Sequence, residues 1–160
     1  MKKKSRIVMT LLVLLWAGVI FWFSAQNAEQ SDQTSGQIVE KLISLIVPGY
    51  DGMTADERAQ VLHTVTFLIR KGAHFSEYLV FGGLLWGWCV SFSFSGKALF
   101  WGPWMSGSVY AITDELHQMF SEGRSPQIGD VGIDSAGVVC GVMLCFLGCL
   151  IWKQVKRGRK

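Results

Sequence analysis

Residues Ile7 to Ser24 contain no charged side chain, and three more runs of similar length and apolarity follow, at about 72–94, 98–120 and 131–152. An 18-residue uncharged run approaches the roughly 20 residues that a helix needs to cross the hydrocarbon core of a bilayer. In a chain of 160 residues these four runs leave little sequence for a water-soluble surface. The first run exceeds the usual hydrophobic region of a cleaved signal peptide, and Phe-Trp-Phe-Ser-Ala-Gln at 21–26 is a poor small-residue cleavage site. It reads as a retained span.

The charges sort by side. Ten of the 15 basic residues are Lys2, Lys3, Lys4, Arg6, Lys97, Lys153, Lys156, Arg157, Arg159 and Lys160, which fall in the N-tail, the short 95–97 connection and the C-tail. No acidic residue shares those segments. All 12 acids lie in the other two connections or in the adjoining halves of the apolar runs. Lys and Arg in short flanking segments mark the cytoplasmic side, so both termini are expected there. An odd number of spans would put the two basic tails on opposite faces. The expectation is therefore an all-α, polytopic membrane protein: four transmembrane helices in a single domain, with an extracytoplasmic helical segment at 25–71. Its partner is the lipid bilayer, and no nucleic-acid partner is expected.

Within 25–71, Thr34 with Gln37 and Thr54 with Glu57 have capping-box spacing. Ile38, Leu42, Leu45 and Ile46 give the first helix an apolar face, with Glu40 and Lys41 opposite, until Pro48 and Gly49 end it. The second helix runs through Ala59, Val61, Leu62 and Val65 towards the second span, with Gly72 as a candidate break. This pair could lie over the outer end of the bundle as a lid, or in the outer headgroup layer as interfacial helices. The four cysteines, Cys89, Cys140, Cys145 and Cys149, lack CxxC spacing and read as small, buried, apolar side chains. His63 reads as a surface histidine.

The informative residues are the polar ones inside the apolar runs. Span two carries His74, Glu77 and Tyr78; span three carries Tyr110, Asp114, Glu115, His117 and Gln118; span four opens with Asp130 and Asp134. A charge in the bilayer costs roughly 2.5–3.5 kcal/mol even on the mildest scale, so such residues face the bundle or water. All of them fall at the extracytoplasmic end. His74 stacks with Glu77 and Tyr78; Tyr110, Asp114 and either His117 or Gln118 share a face; Asp130 and Asp134 share another, continued by Gly137 and Gly141. That Gly-x-x-x-Gly lets another helix approach closely, so the acidic side of span four is expected to face the bundle. Arg124, in the loop before span four, could clamp the carboxylates or bind an anionic headgroup in bidentate fashion. Three readings of the chemistry stay open. The cluster could be a hydrogen-bonded network holding helix ends together. It could be a site recognising a polar envelope molecule such as a lipid headgroup, a cell-wall precursor or a drug. It could be a membrane enzyme's site acting on an envelope lipid or wall precursor, with a divalent metal as a possible cofactor, because Asp114-x-x-His117 has the spacing of helical carboxylate–His metal sites.

These residues carry a resemblance to the VanZ-like family of small bacterial membrane proteins. The stretches are Arg70-Lys71-Gly-Ala-His74-Phe-Ser-Glu77-Tyr78, Tyr110-Ala-Ile-Thr-Asp114-Glu115-Leu-His117-Gln118-Met-Phe120, Gly123-Arg124-Ser-Pro and Asp130-x-x-x-Asp134-x-x-Gly137-x-x-x-Gly141. Phe-Ser-Ala-Gln at 23–26, with Ser31 and Ser35 beyond, is similar to the family's early segment. Members often have Asn where this chain has Asp134. The family takes its name from a protein associated with low-level teicoplanin resistance. The resemblance implies a role in the cell envelope, with lipoglycopeptides among the envelope molecules such a protein would meet.

Overall fold

The computed structural model describes residues 2–25, 39–40, 43–118 and 128–159. They are all-α, with four long helices: α1 (Lys2–Ser24), α2 (Ala55–Ser91), α3 (Ala98–Gln118) and α4 (Ile128–Gly158). Residues 43–46 are helical, and a 3-10 turn at Tyr50–Gly52 leads into α2. The Thr34–Gln37 capping box lies outside the described residues. The second one forms: the Thr54 side chain accepts from the Glu57 backbone N–H, and the Glu57 carboxylate accepts from the Thr54 backbone N–H at 2.8 Å. Those bonds from Thr54 to the Glu57 carboxylate hold its pKa below the usual value.

Chain direction alternates. Arg6 Nε donates to the Ser91 carbonyl and Trp88 Nε1 to Thr10 Oγ1, while Trp16 Nε1 donates to the Glu77 carbonyl, so α1 and α2 are antiparallel. Tyr110 OH donates to the Ala17 carbonyl at 2.7 Å and Ser24 lies against Gln118, so α3 runs parallel to α1. Lys71 pairs with Asp130 and His74 with Asp134, which sets α4 parallel to α2. The core between the helices is Ile20, Tyr78, Phe81, Leu85, Ala111, Val138 and Val142.

α2 and α4 approach most closely. A Cβ on Gly137 would sit 2.5 Å from the Phe75 carbonyl oxygen, and one on Gly141 closer still to the Leu79 carbonyl oxygen. α2 reciprocates with Gly82, which faces the Val138 backbone. The Gly-x-x-x-Gly therefore works as expected, letting two backbones meet where larger side chains would hold them apart. At the other end of α2 the chain turns tightly into α3. Ser93 takes a positive φ of 68°, with Phe94 N–H bonded to the Cys89 carbonyl and Ser93 N–H to the Val90 carbonyl. That is the Schellman pattern, with Ser where Gly is usual, and Phe94 closes it against the Trp88 ring.

Two expectations change. α2 runs through Gly72 without a break, so the residues expected to form an external helix and a second span are one 37-residue rod, about 55 Å long at 1.5 Å per residue. The segment before it packs Val39, Ile43 and Tyr50 on Met53, Val61, Leu62 and Val65. At helical spacing Val61, Leu62 and Val65 lie roughly opposite Lys71 and His74, so the described part of this segment packs on that side of α2. Finally, Cys140 is exposed, whereas Cys89 is buried as expected. His63 is exposed, as a surface histidine should be.

Two helical stretches, Lys3–Ser24 and Gly129–Gly158, are long and apolar enough to cross a membrane by length and composition, with mean hydropathy 2.4 and 2.2. α2 and α3 are not among them; His74 and Glu77 lie in the middle of α2, and Asp114 and Glu115 near the end of α3. Large apolar side chains nevertheless dominate the outward faces. Examples are Leu14, Leu15 and Trp22 on α1, Met105, Val109 and Leu116 on α3, and Leu144 and Ile151 on α4. Monomeric soluble proteins rarely show apolar patches of that extent.

Candidate functional site

The polar residues of the four helices collect at one end of the bundle, the end where α1 and α3 finish and α4 begins. Asp114, only 3% exposed, is its centre. Its Oδ2 accepts from Ser24 Oγ at 2.7 Å, Tyr78 OH at 3.2 Å and Gln118 Nε2 at 3.5 Å, and Gln118 Nε2 also lies 3.2 Å from Ser24 Oγ. One carboxylate thus ties α1, α2 and α3 together. Ser24 reaches it because it is the last residue of α1, and Gln118 because it stands one turn after Asp114 on the same face.

A second set joins α2 to α4. Lys71 forms a charge pair with Asp130, and one turn further along both helices His74 Nδ1 stands 3.7 Å from Asp134 Oδ1. The match in register follows from parallel helices with equal rise. Asp134 is 1% exposed, so it sits deeper than the half-buried Asp130. Glu115 is buried and Glu77 half-buried, and both make contacts of their own.

Buried polar atoms in folded proteins are nearly always hydrogen-bonded. Among the described residues, Asp114 Oδ1, Asp134 Oδ1 and His117 Nε2 are buried without a hydrogen-bond partner. Two of the three are carboxylate oxygens, and Asp134 Oδ1 is the one that His74 Nδ1 approaches.

A family model described as VanZ/LLP1 matches residues 9–152, spanning the four helices. The chain belongs to the VanZ/LLP1 family. No curated protein and no solved structure matches it. Its apolar helices and its membership of VanZ/LLP1 together mark it as a membrane protein.

In this VanZ/LLP1 chain, Tyr78, Asp114 and Gln118 meet directly, and His74, Asp130 and Asp134 line the adjoining α2–α4 seam. The choice between His117 and Gln118 falls to Gln118. The His117 ring instead stacks on Phe21 of α1, with centroids 4.1 Å apart. Tyr110 turns to the Ala17 carbonyl and not into the cluster. Glu77 contributes its backbone carbonyl to Trp16. Arg124 lies outside the described residues. Among the described residues, no group of three or more His, Cys, Asp or Glu side chains has metal-holding geometry. Ser24 and Lys71 are the residues that reasoning from polar positions inside the spans passed over. Ser24 is detectable as the polar last residue of an uncharged run ending at the level of the other polar groups. Lys71 is detectable as the cation at the boundary of the second run.

Proposed function

We propose that this VanZ/LLP1 protein spans the bacterial cytoplasmic membrane four times, with both termini in the cytoplasm. The polar end of the bundle then faces outward and recognises a polar or anionic envelope ligand: a lipid headgroup, a cell-wall precursor or a lipoglycopeptide. Through that ligand the protein contributes to tolerance of glycopeptide antibiotics of the teicoplanin type. The observation that carries this reading is the convergence on Asp114 of donors from three helices, while its second oxygen remains buried without a partner among the described residues. A purely structural network would tend to satisfy both oxygens. In the proposed site, Arg124 supplies the cation for an anionic group, and Asp114, Asp134 and Gln118 take the ligand's donors.

The test is a host whose teicoplanin tolerance depends on this protein. A variant carrying both Asp114→Asn and Gln118→Ala is expected to lose tolerance at an unchanged protein level in the membrane. Full tolerance in that double variant would refute the site.

The His74–Asp134 approach at 3.7 Å favours a second reading, proton transfer by a membrane enzyme acting on an envelope lipid or wall precursor. There, His74→Gln protein would still bind the precursor but would no longer convert it. Conversion at the wild-type rate would end that reading.

A further inference from the structure

The end of α4 opposite the polar cluster is built differently. α4 has 31 residues, about 46 Å at 1.5 Å per residue, which exceeds the roughly 30 Å of a hydrocarbon core. It leaves α2 near Cys145, whose sulfur contacts the Gly83 carbonyl, and every described residue from Leu150 onward is exposed. Met143, Phe146, Leu147 and Leu150 form an outward apolar stripe, 42–48% exposed. At helical spacing the next positions on that stripe are Lys153, Gln154 and Arg157. Beside them Lys156 Nζ lies 5.0 Å over the Trp152 ring. Leu150, Trp152, Lys153, Gln154, Lys156 and Arg157 line a concavity of about 530 Å³. The sequence holds no acid after Asp134.

An apolar stripe that ends in cations with no counter-charge on the same segment is complementary to an anionic amphiphile. We infer that this end of α4 binds an anionic phospholipid. Its acyl chain lies along Met143, Phe146, Leu147 and Leu150, and its phosphate meets Lys153 and Arg157. Lys156, held over Trp152, closes the side of the headgroup. Placement in the inner leaflet rests on the four-span topology proposed above; the lipid preference itself rests only on α4.

The full-length protein in detergent micelles, titrated separately with phosphatidylglycerol and with phosphatidylcholine of the same chains, provides the test, read by native mass spectrometry. Juxtamembrane Lys and Arg each favour anionic lipid modestly, so Lys153 and Arg157 together should contribute about 10- to 30-fold to a preference for phosphatidylglycerol. The variant Lys153→Gln with Arg157→Gln should lose that contribution, leaving at most the roughly 5-fold preference that Lys156 alone supports by the same reasoning. Lys97→Gln, at the same end but off this stripe, should keep the wild-type preference. Both altered side chains are exposed, so the double variant should melt with the wild type. The inference is overturned if the double variant keeps the preference. It is equally overturned if millimolar inorganic phosphate displaces the lipid from the wild type, which would make the ligand a free phosphate. Loss of antibiotic tolerance in the Asp114 variant bears on the polar site alone and leaves this result untouched.

Discussion

Asp114 joins three helices through one oxygen, and that fixes what its removal should do. Asp114→Ala leaves the Ser24 and Tyr78 hydroxyls buried without their acceptor, and a stranded buried polar group costs about 1–3 kcal/mol. Unfolding of the purified protein in mixed micelles should show a loss in that range or above it. Tyr110→Phe should cost about 1 kcal/mol or less by the net value of an ordinary hydrogen bond, since the Ala17 carbonyl keeps its place in α1. Equal losses in the two variants would mean that Asp114 is not the centre of the network. At this scale the sequence was a good guide to carboxylates and a poor one to their partners. Asp114 and Asp134 stand out because charge is costly in an apolar run. Ser24 does not stand out, because a hydroxyl there carries little such cost. Tyr110 with Asp114 also leaves His117 and Gln118 on nearly the same face; only the position of Phe21 on α1 decides between them, and no local pattern encodes that.

The elements divide by what their glycines meet. Gly141 lies against the α2 backbone, so Gly141→Ala must push α2 and α4 apart, whereas a Cβ on Gly148 of the same helix meets nothing within 4 Å. Thermal melts should show Gly141→Ala destabilised by about 1–3 kcal/mol, the usual cost of overpacking, with Gly148→Ala at or above wild type. Comparable melting of the two would contradict the close α2–α4 seam. Gly72 gives a converse case. It reads from sequence as a break, yet it lies inside a continuous helix with open space around it. Gly72→Ala should then stabilise the protein by roughly 0.5–1 kcal/mol, because Gly in a helix interior is the more flexible residue when unfolded. A marked loss of stability or of activity would instead identify a hinge. Periodicity located the four helices because each must show an apolar face over many turns. It could not tell whether one rod continues into the next, since a single glycine is compatible with both outcomes.

For the whole molecule, alternation of direction is the organising fact. Contacts from Arg6–Ser91 at one end to Ser24–Gln118 and Lys71–Asp130 at the other place the basic tails and the polar cluster at opposite ends. The segregation of charge already pointed there, because charge is read over whole segments and survives errors at helix boundaries. The flank of α2 occupied by Val39, Ile43 and Tyr50 was not legible, because an amphipathic helix shows that it needs a partner without showing which one. Membrane topology is the most direct test of an outward polar site. In a background with Cys89, Cys140, Cys145 and Cys149 replaced by Ser, single cysteines at Glu57, Ser95 and Lys156 can be labelled in intact cells with a membrane-impermeant maleimide. The expected result is labelling of Glu57→Cys in intact cells, with Ser95→Cys and Lys156→Cys labelled only after permeabilisation. Labelling of either of the last two in intact cells, or protection of Glu57→Cys there, would contradict a four-span bundle with an outward polar site.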